Sequence, residues 1–431
     1  MRGIEVEGRI ISSNGVYAKA KIWPVAINDL IVSKDGSKAK FVVTGFDTDT
    51  AILALLDDRA KFSGNLRVVS TGEKLCFGLK NSSTFHGPLG FEDADTKLEI
   101  FDFKSSYKEK RPVMDSFRTG VKAIDWFMPI GRGQRLAVIA NAGTGKSTLL
   151  RYLLIHAGYD IAVIGLIGER GREVVEFEDF LNRHSLAKRV KVIVSTSNES
   201  PVLRLFSFYS VTKLADYYRS CGKNVLLIVD SLTRVARAIR EIGFQNGELP
   251  VRQGLTPSVF TILPKLLEVP GNSDTGSITA FYTLLTADHH ENDVLSEEIK
   301  SLLDGHFILS RSLLQKGVYP AIDIVHSLSR LSERFHEKRT RDLANFVRLN
   351  LKLLEQDRDL MFLSSTLPDH LRTALQIEEL VHRFTTQAIE ETWTSTEFEK
   401  FILNITQIQE QSRKKATDKT NSTKFPLPAR E

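Results

Sequence analysis

The chain has 431 residues, 42% hydrophobic and 26% charged, with a formal net charge of +5. That length exceeds one ordinary core and predicts two or three domains. The charge is too mild to argue for nucleic acid, although it permits contact with acidic lipid or an acidic partner. No apolar run approaches the ~18 residues that a membrane span requires, and the start, Met1-Arg-Gly-Ile-Glu-Val-Glu, does not read as a signal peptide. Two distant cysteines, Cys76 and Cys221, and scattered histidines predict a reducing cytoplasm and no zinc site.

In chain order, residues 1–80 read as short strands of a small β-barrel. Ile4, Val6 and Gly8 alternate with charged residues, and Ser13-Asn-Gly15 is a hairpin-turn signal. Lys40-Phe-Val-Val-Thr and Ala51-Ile-Leu-Ala-Leu-Leu continue the pattern. Residues 81–116 are polar, carry the charge run Lys108-Glu-Lys-Arg111, and read as a connecting loop. Residues 117–345 alternate strand-like and helix-like runs, the signature of a parallel α/β core. Residues 346–410 turn helical: Leu343, Val347, Leu351 and Leu354 lead in on one helical face, and Pro368 starts a second stretch through Ile377, Leu380 and Phe384. Residues 411–431 have little apolar content and are expected to be disordered.

The chemistry concentrates between Ala140 and Phe180. Ala140-Asn-Ala-Gly-Thr-Gly-Lys-Ser-Thr148 follows the apolar run Arg135-Leu-Ala-Val-Ile and precedes leucines at helical spacing. Strand, glycine loop and helix are the context a phosphate-binding loop needs. Gly143 and Gly145 let backbone N–H groups point at phosphate oxygens. Lys146 adds a charge for the β- and γ-phosphates, and the Ser147 hydroxyl suits Mg²⁺. The nucleotide-binding run is therefore Ala142, Gly143, Thr144, Gly145, Lys146, Ser147 and Thr148. The motif opens on Ala140 in place of glycine, which is tolerable if its φ is negative.

Ile161-Ala-Val-Ile-Gly-Leu-Ile-Gly reads as a strand covered on both faces, and Glu169 stands at its end. Ligands of parallel sheets sit outside the carboxyl ends of strands, so Glu169 is placed to activate a water. Arg170 and Arg172 are candidates to contact phosphate or balance its charge. Asn224-Val-Leu-Leu-Ile-Val-Asp230 ends likewise in a carboxylate, the form expected of an Asp that serves Mg²⁺ directly or through water. His289-His290-Glu291 is a solvated loop sooner than a metal site.

Long segments of the chain resemble the flagellar and type III secretion export ATPases, relatives of the rotary ATP synthase catalytic subunit. The matching runs are Thr119-Gly-Val-Lys-Ala-Ile-Asp125, Gly131-Arg-Gly-Gln-Arg135, Gly165-Leu-Ile-Gly-Glu-Arg-Gly-Arg-Glu173, Asp230-Ser-Leu-Thr-Arg234, Arg240-Glu-Ile-Gly243, Pro257-Ser-Val-Phe260, Gly276-Ser-Ile-Thr-Ala-Phe-Tyr282, Leu303-Asp-Gly-His306 and Tyr319-Pro-Ala-Ile-Asp323. The resemblance implies an α/β fold with a RecA-like P-loop parallel-sheet core, an N-terminal β-barrel and a C-terminal helical domain. It implies ATP and Mg²⁺ as substrate and cofactor, Glu169 as the catalytic glutamate, Lys146 and Ser147 as phosphate lysine and Mg²⁺ ligand, and Asp230 as the Walker B carboxylate. It further implies Arg330 as an arginine finger entering the neighbouring subunit's site, and Tyr319 as the aromatic stacked on adenine.

By the same resemblance, the protein is expected to be a cytoplasmic homo-hexamer, peripheral at the cytoplasmic face of the inner membrane. Its expected partners are export-gate and stalk proteins and chaperone–substrate complexes. Relatives on the flagellar branch begin with an amphipathic segment that binds a regulator. This sequence opens directly in barrel-like strands, which leaves flagellar and injectisome systems both open. Three other readings share parts of the pattern. A rotary synthase subunit shares the core, but the Gly-Glu-Arg-Gly-Arg-Glu run favours export. A non-catalytic subunit would lack Glu169. An RNA translocase would need a basic–aromatic stripe, which Tyr17, Trp23, Phe41, Phe46, Phe62 and Phe77 do not form.

Overall fold

The computed structural model describes residues 6–57, 65–103, 110–286, 293–357 and 368–422, with side chains of the last helix described through residue 414. Ile4, Phe62, Lys108, Glu109 and the His289-His290-Glu291 cluster lie outside the described residues. The chain forms two compact units. One holds residues 1–114, 132–137 and 159–303; the other holds 115–131, 138–158 and 304–431.

The first unit begins with a closed antiparallel barrel. Its strands close in the order Val6–Ser13, Tyr17–Ile22, Thr50–Leu55, Lys40–Asp47, Asp29–Ser33 and Arg67–Lys74. Alternation drives the closure: Ala18, Ala20 and Ile22 are buried, whereas Lys19 and Lys21 face outward. Ile10, Ile31, Phe41, Leu53 and Val68 fill the interior, each contributing about 1.5–3 kcal/mol by burial. The first hairpin forms where Asn14 Oδ1 accepts from the N–H groups of Val16 at 3.1 Å and Tyr17 at 2.7 Å.

Of residues 81–116, expected as a plain loop, those described through 103 are built into this unit. Cys76–Leu79 and Thr96–Glu99 pair antiparallel, and Thr84–His86 adds a strand parallel to Val190–Thr196. Gly87 N–H donates to the Val194 carbonyl at 2.8 Å, and Ser210 Oγ donates to the Pro88 carbonyl at 2.8 Å. The rings of Phe77, Phe85 and Phe91 pack in sequence with centroids 5.1 and 5.6 Å apart. Phe85 is buried between them, so the polar composition of the segment concealed one aromatic anchor.

The same unit carries a run of parallel strands in the order Ser277–Leu285, Asn224–Asp230, Ile161–Glu169, Val190–Thr196 and Thr84–His86. The four longer strands are almost wholly buried, as near-continuous apolar runs require when helices cover a sheet. Helix Pro201–Ser220 approaches so closely that a Cβ on Gly165 would lie 2.8 Å from Val211 Cγ2. The strand Arg135–Ala140 opens in this unit and runs into the next. Its approach is pinned by Gly133 N–H to Thr279 Oγ1 at 2.9 Å and by Ala280 N–H to the Gln134 carbonyl at 2.9 Å.

The second unit contains the end of that strand, helix Lys146–His156, the antiparallel pair Gly305–Leu309 and Ile322–Ser329, and helices Lys338–Gln356, Asp369–Thr385 and Ser395–Ser422. Leu343, Val347 and Leu354 are buried on the first long helix, and Leu371, Ala374, Ile377 and Val381 on the second. Trp126 centres an aromatic core: its ring lies 4.8 Å from Phe401, and Phe401 stacks on Phe384 at 4.0 Å. The tail from Gln411, expected to be disordered, instead continues the last helix as far as Ser422. Gln, Arg, Lys and Ala are good helix formers, and the buried Phe401 and Ile405 anchor the helix upstream. The remaining tail residues, 423–431, lie outside the description.

Gly78 tests the built segment. A Cβ there would sit 1.7 Å from the Phe91 carbonyl oxygen, a backbone atom that cannot swing aside. Gly78→Ala is expected to destabilise the fold by about 2–3 kcal/mol or more, measured by urea denaturation. Unchanged stability would mean that the segment is not packed in solution.

Candidate nucleotide site

The glycine loop lies in the second unit. Ala140 closes its strand and is not among the described residues of positive φ, so the departure from glycine costs nothing there. Gly143 and Gly145 have φ of 77° and 90°. Among the described residues nothing lies within 4 Å of a Cβ built on either, so glycine is needed there for backbone conformation and not for space. Thr144 is buried and donates from its N–H at 3.3 Å and its Oγ1 at 2.8 Å to the Asn141 carbonyl, tightening the turn. Gly145 is the N-cap of helix Lys146–His156, and Leu149 N–H returns to its carbonyl at 3.0 Å. The first-turn N–H groups of a helix have no intrahelical acceptor, which makes this end an anion site. Lys146 is half-buried, while Ala142, Ser147 and Thr148 are exposed.

Tyr319 and Arg330 belong to the same unit. Tyr319 is 43% exposed, precedes Pro320 through a cis bond, and its carbonyl accepts from Gln387 N–H at 2.6 Å. Arg330 follows strand Ile322–Ser329, is exposed, and donates its N–H to the Asp304 carbonyl at 2.9 Å. Arg311, unnoticed in the sequence, reaches the Ala142 carbonyl with Nη2 at a long 3.5 Å.

The first unit holds the two carboxylates. Strands Ile161–Glu169 and Asn224–Asp230 are parallel neighbours in a register that pairs Leu166 with Asp230, so Glu169 and Asp230 lie at the same edge of the sheet. Both are 5% exposed. The register of Ile161–Glu169 against Val190–Thr196 shifts between Ile167 and Glu169, at Gly168 with φ of 72°. Such a bulge re-aims the side chain that follows it. A Cβ on Gly168 would lie 2.9 Å from Arg234 Cβ, so Arg234 of the Asp230-Ser-Leu-Thr-Arg run packs against the bulge. The Glu169 carbonyl accepts from Ser197 N–H at 3.0 Å. Asp230 Oδ1 accepts from Thr283 Oγ1 at 2.7 Å, and the Asp230–Ser231 peptide is cis. Arg170 is exposed at the N-cap of helix Gly171–Arg183.

Sequence reading missed Thr283, the residue bonded to Asp230, although it directly follows the Gly276–Tyr282 run. The Ser147 hydroxyl and, in the first unit, the Asp230 carboxylate are each an oxygen donor of the kind that Mg²⁺ takes.

A glycine loop opening a helix, with two buried carboxylates ending adjacent parallel strands, defines a P-loop nucleotide-hydrolysing class. Residues 120–329 match the ATP synthase alpha/beta family, nucleotide-binding domain. The chain is 39% identical over 305 residues to the flagellum-specific ATP synthase of Treponema pallidum (strain Nichols), covering 69% of this chain and 67% of that one. It is 38% identical over 347 residues to the type 3 secretion system ATPase of Pseudomonas savastanoi pv. phaseolicola, covering 76% and 77%. The assembled ATPase EscN of the enteropathogenic E. coli type III secretion system superposes with a TM-score of 0.84 at 30% identity, covering 93% of this chain and 99% of EscN. EscN in complex with its central stalk EscO gives 0.81 at the same identity and coverage. The chain belongs to the family of flagellum-specific and type 3 secretion ATPases.

The loop conformation makes a prediction of its own. Gly145→Ala forces a side chain into the left-handed region, at a cost of about 1–2 kcal/mol. Nucleotide affinity, titrated with a fluorescent ATP analogue, should fall roughly tenfold while the melting temperature stays close to that of the parent. Unaltered affinity would show that the loop does not hold phosphate in this conformation.

Proposed function

We propose that the protein is a Mg²⁺-dependent ATP hydrolase of a type III protein export apparatus, flagellar or injectisome. In this reading it works as a homo-oligomer, a hexamer, at the cytoplasmic face of the inner membrane. There it would release chaperones from proteins bound for export and help deliver them to export-gate proteins. The observation that carries the reading is the buried pair Glu169 and Asp230 at adjacent strand ends, which we read as a base and a metal carboxylate in one chain. The assembled state of EscN and its complex with EscO support an oligomer and a stalk partner. No described helix is long and apolar enough to cross a membrane.

The proposed chemistry is in-line attack of water on the γ-phosphate. Glu169 polarises the water and takes its proton as the new oxygen–phosphorus bond forms. The bond to the β–γ bridging oxygen breaks, and ADP and phosphate leave. Lys146 and the backbone amides of residues 143–148 offset charge on the phosphates. Ser147 and Asp230 would hold Mg²⁺, the latter directly or through water, and the ion supplies further neutralisation of phosphate charge when bound. Arg170 adds a phosphate contact, and Tyr319 stacks on adenine. Arg330 of the partner subunit stabilises the transition state, an effect typically worth roughly 10³ to 10⁵ in turnover, or about 4–7 kcal/mol.

Two measurements test this. Glu169→Gln should lower kcat by about 10²- to 10⁴-fold and keep nucleotide affinity; a variant with parental turnover would remove Glu169 as the base. Specific activity should rise steeply with protein concentration, because the finger arrives only on assembly. Arg330→Ala alone and Glu169→Gln alone should each be nearly inactive. Mixing them should restore part of the activity, since some interfaces then combine an intact Glu169 with an intact Arg330. No recovery in mixed assemblies would show that Arg330 does not act in trans.

A further inference from the structure

Gln387 occupies a point at which three parts of the second unit meet. It is 4% exposed, and both ends of its side-chain amide are used. Its Oε1 accepts from Lys122 N–H at 2.7 Å, and its Nε2 donates to the Tyr152 hydroxyl at 2.6 Å and to the Gly120 carbonyl at 3.3 Å. Its backbone N–H donates to the Tyr319 carbonyl at 2.6 Å. The assignment of the amide is fixed by its neighbours: Lys122 N–H can only donate, and the Gly120 carbonyl can only accept.

The partners lead to two parts of the proposed nucleotide site, the helix that opens at the glycine loop and the Tyr319 turn. Tyr152 is fully buried on helix Lys146–His156, whose other end is the phosphate loop. The Tyr152 hydroxyl donates to the Glu391 carbonyl, and His156 Nε2 bonds the Ile389 carbonyl at 2.7 Å, so residues 387–391 grip the far end of this helix. Gly120 is packed so tightly on the helix that a Cβ there would lie 2.5 Å from His156 Cβ. Lys122, also buried, pairs with Glu391 at 3.1 Å and Glu397 at 3.6 Å, continuing the grip into the last helix. Tyr319 carries the ring assigned to adenine.

We propose that Gln387 is a positioning residue for nucleotide binding. By tying the phosphate-loop helix and the Tyr319 turn to one buried amide, it sets the span between the group that holds phosphate and the ring that holds the base. Buried hydrogen bonds of this kind are directional, and a helix held at one end transmits a shift at that end to the other. A loosened clasp changes the distance between the two subsites while leaving each subsite intact. This inference rests on the reading of the chain as an ATP-binding enzyme and of Tyr319 as the adenine ring.

The test separates span from subsite. Full-length parent, Tyr152→Phe and Gln387→Met are titrated with ATP and with tripolyphosphate, which occupies only the phosphate side. Melting temperatures are recorded alongside. The expected result is ATP affinity weaker by about five- to tenfold, tripolyphosphate affinity unchanged, and KM for ATP raised with kcat within about twofold. Tyr152→Phe removes one oxygen and keeps the ring, so the test stands if Gln387→Met fails to fold. Unchanged ATP affinity in folded variants would overturn the proposal. Equal losses for ATP and tripolyphosphate would also overturn it, as the sign of a general disturbance of the loop. A parent protein that binds no ATP would instead refute the functional reading beneath it.

Discussion

A parallel strand buried on both faces has one place for a charged side chain that must meet a ligand, and that is its carboxyl end. Ile161–Glu169 and Asn224–Asp230 are such strands, apolar until their final residues and hydrogen-bonded side by side. Their pairing brings Glu169 and Asp230 to one edge without any loop having to order itself. The cost of holding two carboxylates at 5% exposure is offset locally, and the Thr283 hydroxyl on Asp230 is one visible part of that offset. Gly168 adds the aim: its left-handed bulge turns Glu169 relative to the regular pleat, and Arg234 packs where a side chain would otherwise stand.

The second unit solves a different problem, the anchoring of the helix that follows the glycine loop. Its solution is polar. Asp125, half-buried, accepts from Thr119 N–H at 2.9 Å, Thr119 Oγ1 at 2.6 Å, Gly120 N–H at 2.9 Å and Trp393 Nε1 at 3.3 Å. Burial pushes its carboxyl upward, and these four donors pull it back. Together with Gln387 and Lys122, it ties residues 119–125 and 387–397 to the helix that begins at the loop. Beneath lies the aromatic core of Trp126, Phe384 and Phe401, which supplies the burial that such a network needs around it. The segment between the last two helices is therefore bonded directly to the helix that opens at the glycine loop, and motion of one is resisted by the other.

Much of this was legible beforehand. The Thr119–Asp125 run was recognisable as a matching segment, yet its reason appears only in Asp125, whose partners include a tryptophan 268 residues away. The strand Thr84–His86 was hidden because three residues carry no periodicity, and only the open edge of Val190–Thr196 makes them a strand. The helix beyond Gln411 was misjudged because low apolar content measures burial, whereas good helix formers prolong a helix already nucleated and anchored upstream.

By itself the sequence determined what depends on neighbours along the chain. It specified the glycine loop between strand and helix, the apolar runs ending in Glu169 and Asp230, the alternating barrel strands and the helical faces. Each is written in local spacing and residue type, because backbone conformation and amphipathicity act over a few residues. Tertiary structure alone decided which strands are neighbours, that Gly168 bulges, that Thr283 meets Asp230, and that Gln387 joins the phosphate-loop helix to the Tyr319 turn. Those choices rest on hydrogen bonds between residues tens to hundreds of positions apart, and no local pattern records the partner of a bond.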